Sequence, residues 1–262
     1  MEGEGILRLC ATLLLVALAA CDGPKAGAVL AIPKADAPEV GYVMPPKVTS
    51  VARTGGLVLL KGAAPPAGTV RLATPGGPVG EVEAGEDGRW QLDIPASPEA
   101  QLYGLSVRLG ERTIQSGGYL LITTQSRGYV LRAGGGSQAI GTSSKTAITV
   151  IDYDRQGGGM VSGYAPAGEV LLIKVDGGSP IEARSDVGGG FSVALTQPLS
   201  PGAHQVKLLA KTMTQTVATT ISPATPLSDG PFRATETPVG LRLDWMTPGG
   251  GVQTTLILKP PS

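Results

Sequence analysis

Cysteine is nearly absent: the 262 residues hold two, Cys10 and Cys21, both near the start. The rest of the chain therefore has no disulfide and no thiol nucleophile, and its stability has to come from apolar burial. Histidine is scarcer still. A single imidazole, His204, excludes a zinc site of two or three histidines and leaves a Ser-His-Asp triad only if His204 itself serves. Its setting, Ser200-Pro201-Gly202-Ala203-His204-Gln205-Val206, reads as a turn entering a strand, which points to a structural or solvent-exposed role. Aromatic residues make up 4%, so cores must be built from Val, Leu, Ile and Ala. Charged residues are 16%, and Lys+Arg equals Asp+Glu at 21 each. A net charge of zero without a basic cluster argues against nucleic acid as a partner. The glycine runs lack the chemistry of phosphate cradles. Residues 133–145 contain no Gly-Lys-Ser/Thr, and residues 248–254 contain no lysine. A Ser-X-X-Lys signature is missing at Lys145, because position 142 is Thr. No reaction, cofactor or metal is indicated, and the reading is of a non-enzyme.

What the chain does have is turn-formers. Gly at 39 and Pro at 22, in a sequence still 42% hydrophobic, suit an all-β protein with many turns. Helical periodicity is missing outside the N-terminal segment. That segment is an apolar run from Ile6 to Ala20, about the length of a signal-peptide h-region and too short to span a membrane. After Cys21, residues 22–46 are rich in Pro, Ala and Gly with no sustained period, the composition of a tether.

Two stretches resemble each other. Gly55–Leu72 reads GGLVLLKGAAPPAGTVRL and Gly158–Leu172 reads GGMVSGYAPAGEVLL. Each holds a short apolar strand, a turn built on Ala-Pro, and a second strand. The Gly62-to-Gly68 turn aligns with Gly163-to-Gly168 with one residue deleted. Downstream, Gly85-Glu86-Asp87-Gly88-Arg89-Trp90 matches Asp186-Val187-Gly188-Gly189-Gly190-Phe191, so Trp90 and Phe191 are equivalent core anchors. The offset of about 100 residues is one immunoglobulin-sandwich length. Between the copies, Tyr119–Leu131 reads as a hairpin closing the first domain, and residues 134–145 as a flexible linker. The C-terminal runs Val239–Trp245 and Val252–Leu258 form a second hairpin, with Leu241, Leu243 and Trp245 on one face and Arg242 and Asp244 on the other.

Two family resemblances follow from these residues. Leu18-Ala19-Ala20-Cys21 at the end of the h-region resembles the lipobox of bacterial lipoproteins. The resemblance implies a signal peptide at 1–20, lipidation (palmitate among the acyl chains) of Cys21, a tether over 21–47, and attachment to a membrane facing the periplasm. Asp22, the residue after the Cys, favours the inner membrane over the outer by analogy with enteric bacteria. The n-region departs from the pattern, carrying Glu2 and Glu4 beside Arg8. The repeat, in turn, resembles bacterial Ig-like domains, which implies two tandem β-sandwiches, at 48–133 and 146–262, the second including the C-terminal hairpin. Such domains often serve as spacers on exported proteins.

Three residues stand out as binding candidates. Asp152 and Asp154, at i and i+2 on a strand, would share one face and with Asp186 or a linker carbonyl could hold a calcium ion, although no Asp-rich loop accompanies them. Trp245, beside a Gly-rich turn, could stack on a sugar. The expected function is a non-catalytic cell-envelope lipoprotein that acts as a scaffold or interaction module for an envelope protein. The alternative is a module that binds polysaccharide or peptidoglycan, for which Trp245 would have to be exposed.

Overall fold

The computed structural model describes residues 42–260, and these contain strands and turns only. Cys21 and the tether up to residue 41 lie outside the described residues, as do the signal segment and the last two positions, whereas Lys47, expected in the tether, opens the first strand.

The first seven strands are β1 (Lys47–Thr54), β2 (Leu57–Ala63), β3 (Thr69–Thr74), β4 (Gly77–Glu83), β5 (Arg89–Pro95), β6 (Gln101–Leu109) and β7 (Arg112–Gln115). They form a sandwich: β1-β2-β5 on one side and β4-β3-β6-β7 on the other, all pairs antiparallel. Three further strands follow, β8 (Tyr119–Ile122), β9 (Gly128–Leu131) and β10 (Gln138–Ala139). β8 pairs with the first residues of β6, so the larger sheet continues through β8, β9 and β10.

The second half repeats this plan. Its strands are β11 (Ala147–Tyr153), β12 (Gly159–Tyr164), β13 (Val170–Val175), β14 (Ile181–Arg184), β15 (Gly190–Ala194), β16 (Gly202–Leu209) and β17 (Thr214–Ile221). Sheet β11-β12-β15 faces sheet β14-β13-β16-β17, the same order as in the first half. Three strands again follow: β18 (Phe232–Thr237), β19 (Gly240–Met246) and β20 (Val252–Leu258). Here the last of the three, β20, pairs with β11, so that the sheet runs β15-β12-β11-β20-β19-β18. The chain is all-β, with two sandwiches of immunoglobulin type in tandem.

The equivalence reaches individual residues. Both first strands are bulged at a threonine, Thr49 and Thr149, where the pairing register slips. In both copies a glycine of the second strand lies opposite the aromatic of the fifth, Gly62 across from Trp90 and Gly163 across from Phe191. The glycine is required because the ring lies over its Cα. A Cβ on Gly62 would sit 2.2 Å from Trp90 Cζ2, and one on Gly163 would sit 2.8 Å from Phe191 Cζ. The Ala-Pro turns also superpose without the deletion expected from the sequence. Gly68 N–H donates to the Pro65 carbonyl, and Glu169 N–H to the Pro166 carbonyl, each at 3.1 Å. Ala67 is thus the partner of Gly168, and both take a positive φ, 57° and 75°. The sequence alignment paired Gly68 with Gly168 because it matched residue type rather than hydrogen bonding.

Each sandwich has its own core. The first is built on Val58, Leu60, Val70, Leu72, Trp90, Leu105 and Val107, the second on Ile148, Ile151, Val161, Leu171, Ile173, Phe191 and Val206. A third core lies between the sandwiches and joins Leu102, Leu121, Tyr129 and Leu131 to Val150, Leu243, Trp245 and Ile257. Strand alternation explains it. Leu120 and Ile122 of β8 point into the first core, and Leu121 between them points the other way. Likewise Leu256 and Leu258 of β20 enter the second core while Ile257 enters the third. Strands covered on both faces read as near-continuous apolar runs, as Leu120-Leu121-Ile122 and Leu256-Ile257-Leu258 do.

Candidate interaction surface at the junction

A polar latch closes the third core. Asp152, on β11, is 3% exposed. Its carboxylate accepts hydrogen bonds from Ser137 N–H at 2.6 Å, Ser137 Oγ at 2.9 Å, Gln253 Nε2 at 3.2 Å and Thr255 Oγ1 at 2.5 Å. Gln253 reaches on to the connecting chain, accepting from Gly134 N–H at 3.0 Å and donating to the Arg132 carbonyl at 3.2 Å. Burial pushes the Asp152 carboxyl above its ordinary range, and the donors from Ser137, Thr255 and Gln253 act against that rise.

This arrangement corrects the reading of residues 134–145 as a flexible linker. Gly136, with a φ of 75°, packs so closely that a Cβ there would meet Ser192 Oγ at 2.0 Å. Ser137 is fully buried, and Gln138–Ala139 form β10. Glycine here serves close approach rather than mobility.

The binding candidates are corrected with it. Trp245 is fully buried, donating its indole N–H to Thr255 Oγ1 at 3.0 Å and meeting Tyr119 edge-on, with centroids 5.8 Å apart. It is a core residue and offers no face to a sugar. Asp152 and Asp154 do not form a pair. β11 ends at Tyr153, and Asp154 caps its own turn by accepting from the N–H groups of Gln156 (2.8 Å) and Gly158 (2.9 Å). Asp186 caps the corresponding type of turn through Gly188 and Gly190. Among the described residues, no group of three or more His, Cys, Asp or Glu side chains is placed to hold a metal ion.

Two other polar residues are tied into the fold. Asp244, 4% exposed, accepts from Arg233, Arg242 and Thr254, the last at 2.7 Å, and Arg242 also donates to the Ser222 carbonyl at 3.0 Å. These bonds fix the chain entering β18. His204 places Nδ1 2.6 Å from Asp176 Oδ2 and Nε2 2.6 Å from the Ser200 carbonyl. Both neighbours are acceptors, so the geometry is satisfied by the imidazolium. Burial opposes that charge, but the Ser200 carbonyl and the Asp176 carboxylate outweigh it and raise the His204 pKa.

Beside the third core the sandwiches leave a groove of about 850 Å³, floored by Ala100, Tyr129, Phe232, Leu241 and Ile257. Glu99, Asp229 and Glu236 lie on its walls with Arg127 and Lys259. The last two cations also border a neighbouring cleft of about 370 Å³, which adds Lys145 and contains no carboxylate in its lining. Sequence reasoning missed the junction as a surface because its residues come from β1, β9, β18, β19, β20 and the connecting chain, which lie far apart in the sequence.

No known protein family matches the sequence, and no curated protein does. Among solved structures, the chain is similar to "Biofilm associated protein - BSP domain", at 15% identity and a TM-score of 0.24, over 71% of this chain and 30% of that chain. It is also similar to "Central Fibronectin-III array of RIM-binding protein", at 14% identity and a TM-score of 0.25, over 82% of this chain and 89% of that one. The chain thus spans less than a third of the first of these.

Proposed function

We propose that this protein is a non-catalytic lipoprotein of the bacterial cell envelope. Its paired sandwiches would act as one preformed interaction arm. The observation that supports the interaction-arm part of this reading is the third core with its Asp152 latch, which packs the two immunoglobulin-type units together with a groove at the junction. A docked pair holds a surface composed from both units in fixed geometry, so a partner binding there does not have to order it first. The polar groups that sequence reasoning weighed for chemistry, Asp152 and His204, have their hydrogen bonds committed to the fold.

Membrane attachment rests on Leu18-Ala19-Ala20-Cys21, and residues 22–46 would give a reach of up to roughly 3 Å per residue. Stable anchoring takes more than one acyl chain, which a lipid-modified N-terminal Cys would supply. The test is palmitate labelling and membrane fractionation of the wild type and Cys21→Ser. Wild type should label and pellet with membranes, and the variant should do neither. Equal behaviour of the two would overturn the lipid anchor. Which membrane holds the protein would follow from separating inner and outer fractions, with Asp22 favouring the inner.

A further inference from the structure

The two halves differ at one edge. In the second half, Val150, Ile151, Asp152 and Tyr153 of β11 pair with Ile257, Leu256, Thr255 and Thr254 of β20. Their counterparts in the first half, set by the matching bulges at Thr49 and Thr149, are Ser50, Val51, Ala52 and Arg53 of β1. Among the described strands, β1 pairs only with β2, so its outer edge has no partner. The third strand of the first half does not pair with it. β10 has only two residues, and it is held to the second sandwich by Tyr164, whose hydroxyl contacts the carbonyls of Ala139 and Gly141 (2.8 Å for the latter).

The cleft of about 370 Å³ has Val51 of β1 in its wall, beside Gly128 and Ile140. Arg127, Lys145 and Lys259 also line it, all three are exposed, and none is in an ion pair among the described residues. The carboxylates of the adjoining groove, Glu99, Asp229 and Glu236, are absent from the lining of this cleft.

We infer that the outer edge of β1 is an acceptor for an extended acidic peptide of a partner protein, added antiparallel to Ser50–Arg53 as β20 is added to β11. Main-chain bonds to the open edge would supply affinity, and carboxylates meeting Arg127, Lys145 and Lys259 would supply specificity. The inference deepens the reading of the protein as an interaction module. It does not depend on Cys21, so labelling and peptide binding fail independently.

The test uses the full chain in mild detergent with a fluorescein-labelled peptide of alternating Glu and Val. Its controls are the Lys-Val counterpart and a Glu-Val peptide carrying a central Pro, which lacks a backbone donor. The acidic peptide should bind. Lys145→Glu with Lys259→Glu should weaken it by about tenfold or more without moving the melting temperature, and the Pro-containing peptide should bind far more weakly. Hydrogen exchange of the wild-type protein, which needs no variant to fold, should show new protection at residues 50–53 when the acidic peptide is added. The proposal is overturned if the acidic peptide does not bind, if the Lys peptide binds equally, or if protection arises away from β1. It is overturned equally if the cations bind phosphatidylglycerol vesicles and not the peptide.

Discussion

Replacing Asp152 by alanine tests the latch directly. The carboxylate accepts four hydrogen bonds, two from Ser137 and one each from Gln253 and Thr255, at a site 3% exposed. Removing it leaves the Ser137 N–H and the Gln253 amide buried without that acceptor, at about 1–3 kcal/mol for each unsatisfied group. Part is recovered because a costly buried charge disappears, and the Ser137 and Thr255 hydroxyls can rotate to other acceptors. The net loss should be about 3 kcal/mol, within the range for breaking a buried charged network. For a folded region of this size that corresponds to a melting temperature lower by roughly 6–12 °C. Asp152→Asn should fall between alanine and wild type. Its oxygen can keep the three donors at Oδ1, but its NH₂ then faces the Ser137 N–H, donor against donor. Differential scanning calorimetry measures both, with Asp154→Ala as the exposed-turn control, expected within about 1 kcal/mol of wild type. An Asp152→Ala protein that melts within a degree of wild type would refute the latch.

Three further outcomes follow from the packing. Gly163→Ala puts a Cβ 2.0 Å from the Ala147 carbonyl oxygen, a backbone atom, and should destabilise by about 1–3 kcal/mol in urea unfolding. Trp90→Phe should cost about 1 kcal/mol or less, because the buried Trp90 indole N–H has no hydrogen-bond partner and Phe191 already fills the equivalent place in the second half; Trp90→Ala should cost about 3–5 kcal/mol. The third concerns pH. The His204 pKa is raised in the folded state, so its contribution is fully present below the unfolded value near 6.5 and is lost as pH rises through the folded value. Urea unfolding should therefore show lower stability above that range than below it, and Asp176→Asn should flatten the difference.

Much of the fold was legible in residue patterns. Val252–Leu258 is β20 to the residue, and the alternation of Leu241, Leu243 and Trp245 against Arg242 and Asp244 places the first set toward the third core and the second in an ion pair on the opposite face. Trp90 and Phe191 were recognisable as equivalent because each follows a Gly-rich turn. The junction was not legible, for physical reasons. A strand buried on both faces loses its alternation, so Leu121 and Ile257 gave no sign of facing a core of their own. Asp152 read as a candidate calcium ligand beside Asp154 because the donors that accommodate its burial, Ser137, Gln253 and Thr255, are 15 to 103 positions away. The run Gly134-Gly135-Gly136 suggested mobility, whereas the fold uses Gly136 to bring the connecting chain against Ser192.

The claim that both sandwiches move as one body is tested most directly by residual dipolar couplings of the two halves in one alignment medium. The shared core and the Asp152 latch predict a single alignment tensor that fits the amides of β1–β7 and β11–β17 together. Tensors of different magnitude for the two sets would mean that they reorient independently, and would contradict the preformed arm on which the proposed function rests.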